Sequence, residues 1–572
     1  MHVRPTRRRE TLAAMKRTHV IIGGGTAGCV LASRLSEDRT NQVLLLEAGR
    51  DFAPGDTPPD ILSSYAGYAW ANRSYYWNDL TFRRRQGSSA EYLEQARVIG
   101  GGSSINGQVS LRGAPSDFDR WDVLGARGWN WSTVLPWFRR IENDLDCDGP
   151  LHGKEGPIKI RRIPRAEWDP FTLAVAREWE ARGLPFLPDL NGEFGDGYGA
   201  IPSANDGARR CSTALAYLTD TVRARPNLEI RDHARALRLV AKNGSIAAAM
   251  LERGGKTEAV EADRFVLAAG AIRSPTLLMQ SGIGPARHLQ ESGIAPLLDR
   301  PGIGEGLQDH PAVTVSAYLA RAARVVPGQR RNYTYLRYSS GHPHCGPSDM
   351  VMAAVYRSAW HAIGCRVATL STFMGQAFSR GRIRMRNADP MAEPDVCFDH
   401  LVDLRDRRRM MDAIRLSASI FASASVRAVT SDSFPSSLGP NVKKLGIPSW
   451  RNRVVTQAAG LLMDASPALR RTIIATTLTQ GLTLEEVLAD ERALETFVME
   501  GVITGYHAAG TCRMGAPTDP MTVCDPSGRI VGLTNAWVAD ASLIPELPRT
   551  NINLPTIMIA ERIAAMLLGR PA

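Results

Sequence analysis

The chain is predicted to be an α/β protein, with a Rossmann-like nucleotide-binding domain and a second domain whose mostly antiparallel sheet is flanked by helices. Three observations predict it. Residues 18–49 run strand, glycine turn, helix, strand and acid in register. Residues 313–400 hold several strands, 367–373 and 382–385 among them, suited to an antiparallel sheet. A length of 572 residues exceeds one ordinary domain.

Val20, Ile21 and Ile22 form the apolar run of a strand buried on both faces, and it stops at Gly23. Gly23, Gly25 and Gly28 make G-x-G-x-x-G: one glycine for the tight turn, one for close approach of a pyrophosphate, one for packing of helix on strand. The helix through Thr26 and Ala27 to about Ser36 aims its free N–H groups and positive dipole end at that phosphate. Residues 42–46 form the second strand. Glu47, nineteen residues beyond Gly28, then offers a carboxylate to the two hydroxyls of an adenosine ribose.

Residues 50–95, rich in Gly, Pro and aromatics, read as a long functional cover. In 96–113, ARVIGGGSSINGQVSLRG, a second glycine cluster is followed by Ser103 or Ser104 as cap of a short helix and by Asn106, whose amide can face a ligand. Residues 117–140 predict tryptophan-packed helices, and 151–205, full of Pro and Gly, open the second domain. A helix is expected over 212–225, strands over 228–230 and 236–240, and a buried strand over 263–270. The helix after it is expected to open with Ser274 as N-cap and Pro275 in the first turn, and to close at Gly282. From 404 to 498 the pattern is mainly helical, and Val454, Ala458, Leu461 and Leu462 form an apolar face assigned to the core or a lid rather than a membrane. The last helix is expected to begin at Pro555. The nucleotide-binding domain then comprises 17–158, 206–312 and 500–572, the substrate domain 159–205 and 313–499, and residues 1–16 a basic tail.

Hydrophobic content of 44% and charged content of 22% are those of a soluble globular protein. Of the net charge of +11, residues 1–17 carry +5 and the rest is dispersed, so a solvated tail is expected and no nucleic-acid partner. No secretory h-region and no membrane-spanning run is present in the sequence, which predicts a cytoplasmic protein without stable membrane insertion. Eight cysteines without C-x-x-C spacing read as reduced thiols, and His342, His344 and Cys345 as a polar loop, so no metal site is expected.

From about Thr18 to the last helix, the chain resembles the glucose-methanol-choline (GMC) family of FAD-dependent oxidoreductases. One signature matches 96–119 and keeps Arg97, Gly100, Gly101, Asn106 and Gly113; it departs at Ser110, where an aromatic or alanine is usual. A second matches 270–284, GAIRSPTLLMQSGIG, and GIGEGLQDHP at 302–311 resembles the passage from flavin domain to substrate domain. The resemblance implies FAD, bound non-covalently because Ile105 stands where some members carry a linking histidine. To the residues of the first turn it adds Ala48, Arg97, Gly101, Ser104, Asn106, Gly107 and Val109 as FAD contacts. Farther along it adds Ala236, Ala269, Asp540, Ala541, Pro555 and Thr556. It makes His507, in HAAGTCRMG, the active-site base, with Asn551 of NINLPT, forty-four residues on, as its partner; Asn553 competes but is off by two. Within the family the motifs look most like bacterial oxidases of hydroxymethylated aromatic alcohols, with PLHGKEGPI at 150–158 and ARPNL at 224–228 as further parts of that likeness.

The implied reaction is oxidation of a primary, aromatic alcohol to the aldehyde. Neutral His507 takes the hydroxyl proton, hydride passes to flavin N5, Asn551 holds the substrate oxygen, and the last helix turns its positive end to the reduced flavin. Oxygen or a quinone-type acceptor takes the electrons, and Gly505 is read as leaving room beside the flavin. Two alternatives stand beside it: a choline-type or aliphatic alcohol dehydrogenase, with Glu546 facing the ammonium or merely in a loop salt bridge, and an FAD-containing hydroxynitrile lyase. His310, beside Asp309, is read as a domain-junction hydrogen bond.

Overall fold

The computed structural model describes residues 17–324, 332–437 and 439–571, so the expected basic tail lies outside the described residues. Strand Arg17–Ile22 is the centre of a seven-stranded sheet. It runs parallel to Val43–Leu46 on one side and to the end of Lys256–Leu267 on the other. Leu228–Arg231 and Ala536–Val538 extend the parallel part. Strand Lys256–Leu267 is longer than the apolar run suggests, because its polar first half pairs antiparallel with Ser245–Arg253, which itself pairs with Arg235–Lys242. Helices Thr26–Leu35 and Asn553–Leu567 pack on one another, the second almost wholly buried. Parallel strands with both faces covered explain the unbroken apolar runs at 20–22 and 43–46.

The second large sheet is antiparallel and six-stranded, in the order Thr430–Ser436, Ala312–Leu319, Val367–Met374, Met350–Val355, Asn332–Tyr338 and Gly197–Ala200. Helices Leu404–Ala422 and Pro170–Ala181 cover one face. A five-stranded sheet joins Thr81–Arg83 and Glu91–Tyr92 to Glu305–Leu307, Gly381–Arg384 and Asp395–Cys397. The stretch 50–95 is thereby tied across the molecule, with short helices Pro59–Leu62 and Gly67–Ala71 before its strands.

Several boundaries differ from the sequence expectation. The region 212–225 is two short helices, Thr213–Tyr217 and Asp220–Arg223, each capped by the hydroxyl of the residue before it. Ser103 and Ser104 lie inside helix Gly102–Ile105 and bond the Gly100 and Ile99 carbonyls instead of capping it. The last helix starts at Asn553, two residues before Pro555. Ser274 is no N-cap: helix Gly270–Gln280 begins four residues earlier, because the Asp540 carboxylate accepts from Gly270 N (2.8 Å) and Ser274 Oγ (2.6 Å) and so supplies the cap from another strand end. Pro275 therefore sits in the helix interior and leaves the Ala271 carbonyl without its intrahelical donor, and the Thr511 hydroxyl fills that place at 2.5 Å.

The apolar face of helix Trp450–Ala465 is not in the core. Val454, Leu461 and Leu462 are 59%, 57% and 48% exposed, and the side turned inward carries Thr456, Gly460 and Met463. On that inward side a Cβ at position 460 would lie 2.9 Å from the Arg366 guanidinium, so the glycine lets the arginine pack against the helix.

Replacing Thr511 with Val leaves the buried Ala271 carbonyl unpaired at nearly constant volume. A loss of about 1–3 kcal/mol is expected, read as an earlier urea midpoint with unchanged slope; an unshifted midpoint refutes the bond's role.

Candidate active site

One cavity of about 650 Å³ joins the glycine turn at its one end to His507 and Asn551 at the other. Its first half is built of backbone. Gly28 is required by contact: a Cβ there would meet the Gly23 carbonyl oxygen at 1.8 Å, so the helix could not seat on the strand. Gly101, at φ +51°, brings the second glycine cluster against the first, and a Cβ on it would lie 2.7 Å from Gly25 Cα. Beside them Glu47 accepts from Gly24 N (2.9 Å) and Gly49 N (2.7 Å). Burial pushes its carboxyl above the ordinary value, while the two amides pull it back. These features fit FAD: bare backbone amides and a helix N-terminus for a diphosphate, a fixed carboxylate for ribose hydroxyls, and a long cavity running on to the reactive pair.

At the other end His507 Nε2 lies 3.1 Å from Asn551 Nδ2, and His507 Nδ1 lies 2.9 Å from His310 Nδ1. The amide N–H donates to Nε2, which assigns the proton of the ring to Nδ1 and makes His310 Nδ1 its acceptor. His310 then carries its own proton on Nε2, and the Gly375 and Pro548 backbones act on its buried ring as hydrogen-bond partners. Burial lowers His507 to about 4, with Asp309 opposing, and lowers His310 to about 3, with the neighbouring His507 acting in the same direction. Both rings are neutral at neutral pH.

Asp309 holds the segment that carries His507. Its carboxylate accepts from Thr504 Oγ1 (2.6 Å), Gly505 N (3.1 Å) and His507 N (2.9 Å), and lies 3.1 Å from His400 Nε2. Burial works to raise this carboxyl, and the hydrogen bond and charge of His400 with that of Thr504 outweigh it and hold it well below the carboxylate range. Asn551 is positioned from the other side, because Arg549 two residues before it bonds Asp117 through its backbone N (3.1 Å) and Nε (2.7 Å).

Of the residues expected to face the cofactor, the cavity wall includes Gly23, Gly25, Thr26, Ala27, Glu47 and Ala48 from the first motif. Gly101, Asn106, Gly107, Val109, Ala236, Ala269, Asp540, Ala541 and Thr556 line it as well. Four others stand behind the wall. Gly28 packs helix on strand, Arg97 donates to the Ala48 carbonyl at 3.1 Å, Ser104 turns to Ile99, and Pro555 is buried in the last helix. Asn553 lines the cavity too, but its Oδ1 accepts from Thr26 Oγ1 (3.3 Å) at the glycine turn, so Asn551 alone of the two reaches His507.

The structure extends the reading of His310, decides that of Glu546 and adds to that of Gly505. His310 is no mere junction residue, since it touches the base; its motif neighbour Asp309 was the signal, but the ring contact spans 197 positions. Glu546 pairs with Arg120 (3.2 Å) and Arg380 (3.9 Å) and is absent from the cavity wall, so it faces no ammonium there. Gly505 lines the cavity beside His507, and a Cβ there would meet the His310 carbonyl oxygen at 2.4 Å, so the glycine also serves close packing. Sequence reasoning also missed Trp77, whose ring lies between the guanidiniums of Arg97, Arg235 and Arg273, 3.9–5.1 Å from its centre, at the nucleotide half of the cavity.

Asp144, Cys147 and His152 lie within metal-ligand reach of one another. His152 is raised to about 10, since hydrogen bonds to Asp144, Asp189 and Glu142 overcome its burial, while burial pushes the Cys147 thiol to about 11. With Arg112 and Arg162 completing it, the cluster is an ion network with protonated His and thiol, unlike a ligand set.

The models of the GMC oxidoreductase family match residues 17–312 and 377–560. The chain is 38% identical over 564 residues to a 5-(hydroxymethyl)furfural oxidase of Methylovorus sp. (strain MP688), covering 96% of this chain and 98% of that protein. It is 33% identical over 597 residues to an oxygen-dependent choline dehydrogenase of Sinorhizobium medicae (strain WSM419), covering 97% and 96%. Among solved structures, pyridoxine 4-oxidase from Mesorbium loti superposes with a TM-score of 0.81 at 29% identity, covering 97% of this chain and all of that one.

Glu47→Ala removes the carboxylate from the cofactor half without touching His507. Loss of charge-assisted hydrogen bonds of about 1.5–3 kcal/mol each is expected to weaken FAD at least about tenfold, read as the ratio of visible to protein absorbance after dialysis. Retention equal to the parent refutes the assignment.

Proposed function

The chain belongs to the GMC oxidoreductase family, and from that premise we propose that it oxidises a primary, aromatic alcohol to the aldehyde with His507 as the base and Asn551 as the holder of the substrate oxygen. Its cofactor is FAD, and the protein is an FAD-dependent alcohol oxidase or dehydrogenase. The observation that carries the reading is the 3.1 Å pair of His507 Nε2 and Asn551 Nδ2 on the wall of the cavity that also holds the nucleotide cradle.

A carbinol oxygen placed between these two atoms accepts from the Asn551 amide and donates to His507 Nε2. The neutral ring then takes its proton while the amide stays on the oxygen as the carbonyl forms. Bound FAD supplies the acceptor for the hydride that leaves carbon. His310 serves as a positioning residue: by accepting from His507 Nδ1 it keeps the Nε2 lone pair toward the substrate. The Asp309 carboxylate, bonded to the His507 amide, is the nearest negative charge to the ring pair once it has gained a proton.

An aromatic substrate is supported by the wall beyond the pair. Val109, Ile201, Tyr335, Phe373 and Phe434 supply flat apolar contact, and Thr314, Ser316, Thr369 and Ser371 supply neutral hydroxyls for ring substituents. The 5-(hydroxymethyl)furfural oxidase and the pyridoxine 4-oxidase are similar chains whose names carry substrates of this shape.

In the FAD-loaded enzyme, benzyl alcohols and 5-(hydroxymethyl)furfural are expected to bleach the flavin without air, with recovery on admitting oxygen or a quinone identifying the acceptor. His507→Ala should keep FAD and lose on the order of 10²–10⁴ in the rate of bleaching. Bleaching by none of these alcohols overturns the reading. Because burial lowers His507 to about 4, the base is already neutral above that pH. The plot of kcat/KM should therefore stay level as pH falls through 6.5 and drop only toward 4; a limb at 6.5 refutes the buried base. His310→Ala should slow the reaction by releasing the ring orientation, and His310→Asn, which returns an acceptor, should recover part of the rate.

A further inference from the structure

Helix Trp450–Ala465 presents an outward face that is exposed among the described residues. Trp450 (73% exposed), Val454, Ala458, Leu461 and Ala465 form one stripe, and Val455 (55%) and Leu462 lie beside it, together spread over roughly 140° of the helix. Leu469, at 43%, continues the surface onto the following helix, Pro467–Ile473. The side opposite is the buried one, so both flanks of the helix are accounted for.

The charge around this face has one sign. Arg451 projects from within the apolar stripe, its guanidinium 5.6 Å from the Trp450 ring centre, and Arg453 borders it. Lys444 stands on helix Pro440–Gly446 just before it. None of these three has an ion-pair partner among the described residues. The acid of the helix, Asp464, is already held by Arg324 and Arg366 at 2.8 Å each. A second copy packed on this face about a twofold axis would bring two sets of unpaired cations together, whereas an anionic surface would neutralise both. An interfacial helix has this composition: apolar residues with a tryptophan on one side and arginine or lysine among and around them.

The same helical excursion reaches the cavity. Val442 on helix Pro440–Gly446 and Leu478 at the end of the helical run line it, together with Phe434, Ser436 and Ser437. We propose that this face, residues 444–469, docks the protein reversibly on an anionic lipid surface, with the wall of the substrate half of the cavity set at the contact. The helix lies in the plane of the headgroups. It does not span the bilayer, and no helix among the described residues is long and apolar enough to do so.

The test is co-sedimentation of the FAD-loaded full chain with vesicles of phosphatidylcholine alone and of phosphatidylcholine mixed with phosphatidylglycerol. Binding is expected to the mixed vesicles only, and to fall when salt is raised. Two variants probe the two components: Val454→Ser with Leu461→Ser, and Arg451→Glu with Arg453→Glu. Each should lower the bound fraction at least about tenfold while flavin absorbance and turnover of a small soluble alcohol stay at the parent level, which shows that the fold is intact. No binding to the mixed vesicles, or binding equal in parent and variants, overturns the proposal. So does a dimer in light scattering that the Val454→Ser, Leu461→Ser variant converts to monomer, since the face would then be a contact between copies of this chain.

Discussion

The contact on which the structure depends is the one between helix Thr26–Leu35 and the turn it leaves. The helix sits so close that a single added carbon at Gly28 would lie 1.8 Å from a carbonyl oxygen. That closeness aims the amides of the turn at the cavity, and Gly101 continues it by setting a second backbone turn against Gly25. A diphosphate needs donors rather than bulk, and two glycine turns in contact expose donors without side chains in the way. The parallel strands Val43–Leu46 and Lys256–Leu267 then follow as the elements whose ends deliver Glu47 and Ala269 to the same wall.

The reactive end uses the opposite device, a buried charge that organises its surroundings. Asp309 binds three donors from residues 504–507 and meets His400 on its other side, so one carboxylate joins the segment of the base to the antiparallel part of the molecule. It bonds the backbone of His507 and leaves the ring to His310 and Asn551. A carboxylate placed directly on Nδ1 would favour the charged ring. A neutral imidazole there orients the ring without adding a negative charge, and burial keeps both rings in the uncharged form needed to accept a proton.

Much of this was legible in the sequence because it rests on local spacing. G-x-G-x-x-G with Glu47 in register predicted the first wall of the cavity, and the resemblance to the GMC family, not spacing, named His507 and Asn551, which stand 3.1 Å apart. What was not legible depends on partners distant in the chain. Ser274 followed by Pro275 reads as a helix start, yet Asp540 caps the helix four residues earlier and Thr511 repairs the gap that the proline leaves. Gly505 lines the cavity beside the base, but that its missing Cβ also makes way for the His310 carbonyl is set by a segment far away in the chain. Glu546 reads equally as a carboxylate for an ammonium or as a loop salt bridge, and only its distant partners Arg120 and Arg380 decide for the second.

Amphipathic periodicity shows the same limit in another form. The pattern at Val454, Ala458, Leu461 and Leu462 states that one face of a helix is apolar, and the usual inference is that this face is the buried one. That inference assumes the opposite face has nothing better to do. Here the opposite face carries Thr456, Gly460 and Met463, and the absence of a side chain at 460 lets the Arg366 guanidinium press against the helix while it pairs with Asp464. Seating the helix the other way would bury Arg451 among apolar residues, where its charge has no counter-ion, and would turn the cleft for Arg366 to water. One glycine and one arginine thus pack on the face turned inward, and hydrophobic periodicity alone points to the opposite face.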